Sequence, residues 1–316
     1  MQNHFKPAIK SITNDCFSIN FVINSWCNQR CSYCPPYLNK GMYPHIVVET
    51  YIKFFDNLIK DNPIITNRLQ RKVTITGGEP SFYNGVEDMI KFFKSINFNI
   101  AMVTNLGNNL DFWNRIIDDM DILYCSFHPR YAKIDHFKKL CNIFLDRKKH
   151  VEIHVLMDPE YWDIAVKASK EFMKTDGVIV NNKGILDVND YKKRFTPLYT
   201  EHQIKYIQEN PSNEIYNTNN DKITVEYFNG EQTAFDGQKI ISNNYFNFFG
   251  SKCYTGMNSL VIKQDGSVWG SQCRTRYFGN LQQDKNLRIK LFDIPAICQK
   301  NTCTCLFDMK IQKSFI

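Results

Sequence analysis

From residue 19 to about residue 190, strand-like and helix-like segments alternate, with a new pair about every 25 to 30 residues. This rhythm constrains the 316-residue chain more than any other feature. Parallel strands joined by helices bury both faces of a sheet, and few architectures allow that. Strands are predicted at residues 19–25, 73–76, 100–105, 122–128, 151–157 and 178–181. Between them, apolar residues recur at helical spacing over 47–59, 85–96, 110–120, 134–148 and 161–174. Six strands are too few to close an eight-stranded α/β barrel.

The first strand delivers Cys27-Asn28-Gln29-Arg30-Cys31-Ser32-Tyr33-Cys34, with Cys27, Cys31 and Cys34 at C-x-x-x-C-x-x-C spacing. Thiolates are soft ligands and select zinc, copper or iron–sulfur. Zinc prefers four ligands in pairs. Three thiolates in one short loop suit a 4Fe–4S cube, binding three irons and leaving the fourth open. A zinc ribbon, or a loop of reduced thiols, is the alternative. Pro35-Pro36 ends regular structure just after the loop. The second strand runs directly into Gly77-Gly78-Glu79-Pro80.

Together, the cysteine loop with its aromatic Tyr33 and the GGEP sequence resemble the radical S-adenosylmethionine (AdoMet) superfamily. The resemblance implies that AdoMet chelates the open iron and that the reduced cluster passes one electron to the sulfonium. Methionine and a 5′-deoxyadenosyl radical result, and the radical takes a hydrogen atom from the substrate. It also implies the fold: α/β, a partial (β/α)6 TIM-like barrel whose active site lies at the C-terminal ends of the strands. By the same resemblance Gly77, Gly78, Glu79 and Pro80 contact AdoMet, with Glu79 at its amino group. Thr104 and Asn105, ending the third strand, are expected at the cofactor too. Side chains alternate along a strand, so Tyr124, Ser126 and His128 share one face, as do Glu152 and His154. Ser126 and His154 are expected near the ribose or carboxylate, and His128 near the substrate as the catalytic candidate. For each histidine a hydrogen-bonded structural role is the alternative. The arginine that family members often place near the carboxylate is missing from the fifth strand.

The rhythm stops after about residue 190. Residues 196–221 are polar and read as a linker or lid. Short strands are predicted at 223–228 and 239–241, and a hairpin around Asp265-Gly266. This C-terminal part holds Cys253, Cys273, Cys298, Cys303 and Cys305. It resembles the SPASM extension, or its shorter twitch form, which carries auxiliary iron–sulfur clusters. Five cysteines favour one auxiliary 4Fe–4S cluster, with Cys305 or Cys298 as the spare thiol; a structural zinc site is the alternative. The expected organisation is a lead-in over 1–18, the barrel over 19–195, a linker or lid over 196–221 and a small β-hairpin/loop auxiliary-cluster domain over 222–316. The remaining cysteines, Cys16, Cys125 and Cys141, read as small buried hydrophobes.

Eleven cysteines without a signal-peptide pattern argue for metal or catalysis over a disulfide framework. No apolar run is long enough to span a membrane, and the expected location is cytoplasmic. The net charge of +7 is scattered. Its two clusters, residues 147–149 and 192–194, read as solvated faces and not as a nucleic-acid footprint. The resemblance implies AdoMet and two 4Fe–4S clusters as cofactors, and a reductant such as flavodoxin or ferredoxin as partner. The expected reaction is an oxidative or bond-forming modification of a peptide, although only 26 residues precede Cys27, too few for the winged-helix peptide-recognition domain of some maturases. Dehydrogenation or cyclisation of a sugar, amino sugar or nucleotide is the alternative substrate class. A non-radical iron–sulfur electron carrier is the alternative function class.

Overall fold

The computed structural model describes residues 8–186, 195–212, 223–235, 247–303 and 305–315. In chain order its elements begin with β1 (Ile9–Thr13), β2 (Cys16–Val22), α1 (Pro36–Asn39), α2 (Val48–Asp61), β3 (Gln70–Thr76), α3 (Val86–Ser95) and β4 (Asn99–Thr104). They continue with α4 (Leu110–Ile116), β5 (Ile122–Phe127), α5 (Ile134–Asp146), β6 (His150–Leu156), α6 (Trp162–Phe172), β7 (Val178–Lys183) and α7 (Glu201–Glu209). The remainder are β8 (Ile223–Tyr227), β9 (Gln232–Phe235), β10 (Lys252–Cys253), β11 (Ser259–Ile262), β12 (Ser267–Trp269), β13 (Tyr277–Asn280), β14 (Ala296–Ile297), α8 (Leu306–Met309) and β15 (Lys313–Ser314).

The chain divides into two compact units. One comprises Phe21–Val48 and Val73–Tyr216; the other comprises Met1–Asn20, Glu49–Lys72 and Asn217–Ile316. This interleaved division differs from the contiguous one expected from the rhythm. Side chains explain why residues 49–72 group with the C-terminal segment. Arg288 pairs with Asp61, Asn62 Nδ2 donates to Ile289 O at 3.0 Å, and Lys53 Nζ donates to Asn286 Oδ1 at 2.6 Å.

The six expected strands follow one another in an open sheet as β2–β3–β4–β5–β6–β7, of which β4 to β7 lie wholly in the first unit. The pairs from β4 to β7 are parallel. The barrel is therefore partial, as expected. Alternation along β5 explains its place. Cys125 and Phe127 are fully buried, and Phe127 packs on Phe137 of α5 and Phe172 of α6, with centroids 5.1 and 5.2 Å apart. Each such ring stabilises the fold by about 1.5–3 kcal/mol. The intervening Tyr124 and Ser126 point to the opposite face, which frees them for the site. Two helices are shorter than expected. α4 ends at Ile116, and α6 begins at Trp162 after a 3-10 turn, Pro159–Tyr161, whose start is capped by the Asp158 carboxylate accepting from Glu160 N–H at 3.0 Å. The segment expected as a linker contains α7. A capping box starts it: Gln203 N–H donates to Thr200 Oγ1 at 3.3 Å, and Thr200 N–H donates to Gln203 Oε1 at 3.0 Å.

In the second unit a six-stranded sheet runs β14–β10–β15–β1–β8–β9. β1 comes from the expected lead-in. It supplies Ile9 and Ile12 to a core shared with Ile223, Val225, Tyr227, Phe248 and Met309. The predicted hairpin is β11–β12, closed by Lys263 N–H donating to Ser267 O at 2.9 Å. The strand expected at 239–241 and the basic cluster at 192–194 lie outside the described residues. Among the described residues no helix is long and apolar enough to cross a membrane.

Candidate active site: a cysteine loop and a glycine loop at one cavity

The chain leading out of β2 is tied to the GGEP loop by backbone and amide contacts. Gly78 N–H donates to Asn24 O at 3.2 Å and Asn24 Oδ1 at 2.9 Å, Glu79 N–H donates to Trp26 O at 2.7 Å, and Asn24 Nδ2 donates to Glu79 O at 2.9 Å. This approach explains the two glycines. Gly77 has φ +155°, and a Cβ there would stand 2.6 Å from Asn24 Oδ1. A Cβ on Gly78 would stand 2.0 Å from Trp26 O, inside contact distance. Within the cysteine loop, Arg30 Nη1 donates to Cys27 O at 2.5 Å and Asn39 O at 2.6 Å, which fixes the turn between the first two cysteines.

Cys27, Cys31 and Cys34 line one cavity with Gly77, Gly78 and Glu79. Thr104, Asn105, Ser126 and His128, from the ends of β4 and β5, complete the polar wall. Burial pushes all three thiols up, Cys31 to about 11 and Cys34 to about 12. Neighbouring thiols add to the rise in Cys31 and Cys34, since like charges crowd together there. Glu79 is 1% exposed. It accepts from Thr104 Oγ1 at 2.6 Å, Asn105 N–H at 2.6 Å and Ser81 N–H at 3.1 Å. Burial raises its carboxyl despite these donors. Asn105 Nδ2 donates to Asn28 Oδ1 at 2.9 Å and lies 3.5 Å from Cys27 Sγ, while its buried Oδ1 has no partner.

Tyr33 and Pro80 do not line the cavity. The Tyr33 hydroxyl is hydrogen-bonded to His128 Nδ1 at 2.8 Å, and the two rings stack. His128 Nδ1 also lies 3.5 Å from Cys31 Sγ. Burial lowers His128 to about 4, which keeps the imidazole neutral near pH 7. Its partners are the cysteine loop's own Tyr33 and Cys31, while its ring also lines the cavity. Pro80 opens a short 3-10 turn. His154 also falls outside the lining. It pairs with Ser126 in register, but its Nε2 lies 2.6 Å from Glu152 Oε1, which also accepts from Asn181 Nδ2 at 2.5 Å. Burial acts to raise Glu152, and the His154 hydrogen bond and nearby positive charges outweigh it, so its carboxyl is lowered. Asn24, Asn28 and Arg30 shape the site without having been picked out from the sequence. Their work is contact with backbone and amide groups across the fold, which leaves no local signature.

Sheet register draws two of the C-terminal thiols, Cys253 and Cys298, towards each other. Cys253 pairs with Ala296 on one side and Lys313 on the other. Cys298 N–H donates to Ser251 O at 2.8 Å, continuing the first pairing. Burial raises Cys253, and the neighbouring Cys298 and Cys273 push it further up against the pull of Lys313. Burial raises Cys303 to about 12, with Cys253 and Cys273 again among its neighbours. Cys305 differs. It stands at the start of α8 beside Asp308 and Lys263, and burial followed by Asp308 raises it. Among the described residues no group of three His, Cys, Asp or Glu side chains stands close enough to hold a single metal ion. A tetrahedral zinc needs sulfurs about 3.8 Å apart; a cube spreads them wider, each on its own iron. Soft donors around a shared cavity, with a buried unpartnered Asn105 oxygen beside them, fit a cysteine-ligated cluster and a polar cofactor.

No protein-family model matches the sequence, and no curated protein matches it. Solved structures do match the fold. Streptococcus suis SuiB bound to S-adenosylmethionine aligns at TM-score 0.50 and 16% identity, covering 86% of this chain and 64% of SuiB. SuiB bound to the precursor peptide SuiA aligns at TM-score 0.50 and 14% identity, covering 86% of this chain and 63% of SuiB. Native anSMEcpe with bound AdoMet aligns at TM-score 0.50 and 14% identity, covering 85% of this chain and 81% of anSMEcpe. This chain therefore spans less than two thirds of the length of SuiB. It shares the fold of these solved S-adenosylmethionine-bound proteins, and its cysteine and glycine loops meet at one cavity.

Proposed function

We propose that this protein is a radical AdoMet enzyme that carries out an oxidative or bond-forming modification of a peptide. The observation that carries the proposal is the single cavity walled by Cys27, Cys31, Cys34 and the GGEP backbone. Cys27, Cys31 and Cys34 would hold the cluster, and Gly77, Gly78, Glu79, Thr104, Asn105 and Ser126 would receive AdoMet. When bound, the pair supplies one-electron cleavage of the sulfonium and a carbon radical that removes a substrate hydrogen atom. The chain's own residues bind, orient and exclude water. Glu79, held by three donors, presents a fixed carboxylate for the AdoMet amino group, and burial shields that contact from solvent. Gly78 lets the GGEP backbone come within hydrogen-bond reach of the cysteine loop, so the cluster ligands and the AdoMet contacts move as one piece. His128 stays neutral and holds Tyr33, which fixes the loop around Cys31.

Two observations support a peptide substrate and an auxiliary cluster. SuiB, of like fold, has been crystallised with a precursor peptide. In the second unit Cys253 has Cys273 and Cys298 as electrostatic neighbours, and Cys303 has Cys253 and Cys273. These four would ligate a cluster with every iron protein-bound, leaving Cys305 spare. With four thiolates held there, a cluster would supply an electron acceptor or relay and not a substrate-binding position. The test is anaerobic reconstitution followed by AdoMet and dithionite. The proposal expects about eight irons per chain, as two four-iron cubes, and formation of 5′-deoxyadenosine. A protein that binds iron but makes no 5′-deoxyadenosine is an electron carrier, and the proposal fails. About four irons with one zinc would leave the C-terminal metal structural.

A further inference from the structure

Lys313 is 2% exposed and lies on β15 directly opposite Cys253. Directly opposed residues of antiparallel strands put their side chains on one face. Ala296 opposes Cys253 from the other side, and Cys298, two residues on, continues that face. Nζ of Lys313 donates to Asp308 O at 2.6 Å, Ile311 O at 2.9 Å and Met309 O at 3.4 Å. Three carbonyl acceptors match the three donors of a lysine ammonium group. Nζ also lies 4.9 Å from the Phe248 ring centroid. These partners are dipoles and a π-face; none is an anion. Asp308, the nearest carboxylate in sequence, is turned to the backbone of the cysteine segment, accepting from Gln272 N–H at 2.8 Å and Cys273 N–H at 2.9 Å. The Lys313 charge acts on the buried Asp308 carboxylate and also on the Cys253 and Cys303 thiols, so it faces the thiol site as well as that carboxylate.

We propose that Lys313 is the fixed counter-cation of the C-terminal thiol site, a positioning residue that favours a thiolate-ligated cluster there and raises its reduction potential. The role rests on the proposal that this site holds an iron–sulfur cluster. A cube with four thiolates gains one unit of negative charge when it takes up one electron. A buried positive charge close by favours that more negative form. The carbonyl cage at the turn between α8 and β15 holds the ammonium in place, so the effect does not depend on a mobile side chain.

The test uses the full chain with Cys27, Cys31 and Cys34 replaced by Ala, so that only the C-terminal cluster is seen. Its midpoint is measured by an EPR-monitored redox titration with and without Lys313→Met. We expect the equilibrium constant for one-electron reduction to fall about tenfold, a shift of about 59 mV to lower potential. Lys313→Arg, which keeps the charge, should recover most of the shift. Lys313→Gln replaces the Met variant if that one does not stay soluble. An iron-loaded Met or Gln variant with the parent midpoint overturns the role of Lys313 alone. A parent protein with no iron overturns the cluster, and the role with it.

Discussion

The two cysteine sets are built in opposite ways. Cys27, Cys31 and Cys34 lie within eight residues at the exit of one strand, and the GGEP loop meets them through backbone bonds. Cys253, Cys273, Cys298 and Cys303 are spread over about fifty residues, and sheet register brings the Cys253 and Cys298 segments together. Their electrostatics differ as well. The first set has a buried carboxylate, Glu79, and a neutral histidine for company; the second has a buried carboxylate, Asp308, together with a buried lysine, Lys313. The first set is the more buried, with Cys27 and Cys31 inside and Cys34 half-buried, whereas Cys253, Cys298 and Cys303 are half-buried and Cys273 is exposed.

Breaking the first set through its backbone should have the largest effect. Gly78→Ala puts a Cβ 2.0 Å from Trp26 O, so the GGEP loop must leave the cysteine loop. We expect AdoMet binding to fall at least a hundredfold, measured by calorimetry on the reconstituted protein, a loss of about 2.7 kcal/mol or more. Binding at parent affinity would mean the two loops need not touch. Replacing Cys253 and Cys273 with Ala breaks the second set instead. Product should fall several-fold more than 5′-deoxyadenosine, because hydrogen abstraction precedes electron removal. A soluble variant that keeps the parent ratio of the two would leave the second set without an electron-transfer role.

The same contrast explains what could be read in advance. The barrel strands β2 to β7 were legible because alternation and helical spacing are local properties, and the cysteine loop because its spacing is complete in eight residues. Thr104, Asn105 and Ser126 could be placed from strand-end position and face alone. His154 instead meets Glu152, its neighbour on the same strand face, whose carboxylate Asn181 also holds. β1 was missed because it is a short strand whose partners, β15 and β8, come from the C-terminal segment. α7 did carry a signal: Thr200 and Gln203 form a T-x-x-Q capping box, hidden by the polar composition around it. Lys313 had no signal, because a lysine reads as surface until its register partner is known.

Smaller effects sharpen the comparison. Asp308→Ala leaves the N–H groups of Gln272 and Cys273 without their acceptor, at a cost of about 1–3 kcal/mol. Chemical denaturation should show that loss, with iron lost first from the C-terminal site; iron lost first from the Cys27 loop would contradict the assignment. Thr200→Ala, in neither cysteine set, should cost about 1 kcal/mol by the same method and leave AdoMet cleavage unchanged. Altered cleavage there would extend the active site to α7.

The central claim is that Cys27, Cys31 and Cys34 create the radical chemistry and the C-terminal thiols do not. It is tested most directly by 5′-deoxyadenosine formation in the Cys27/Cys31/Cys34→Ala protein, reconstituted with iron and sulfide and given AdoMet and dithionite. The account predicts that cleavage is abolished while about four irons remain bound, the content of one cube. Cleavage at the parent rate would contradict it.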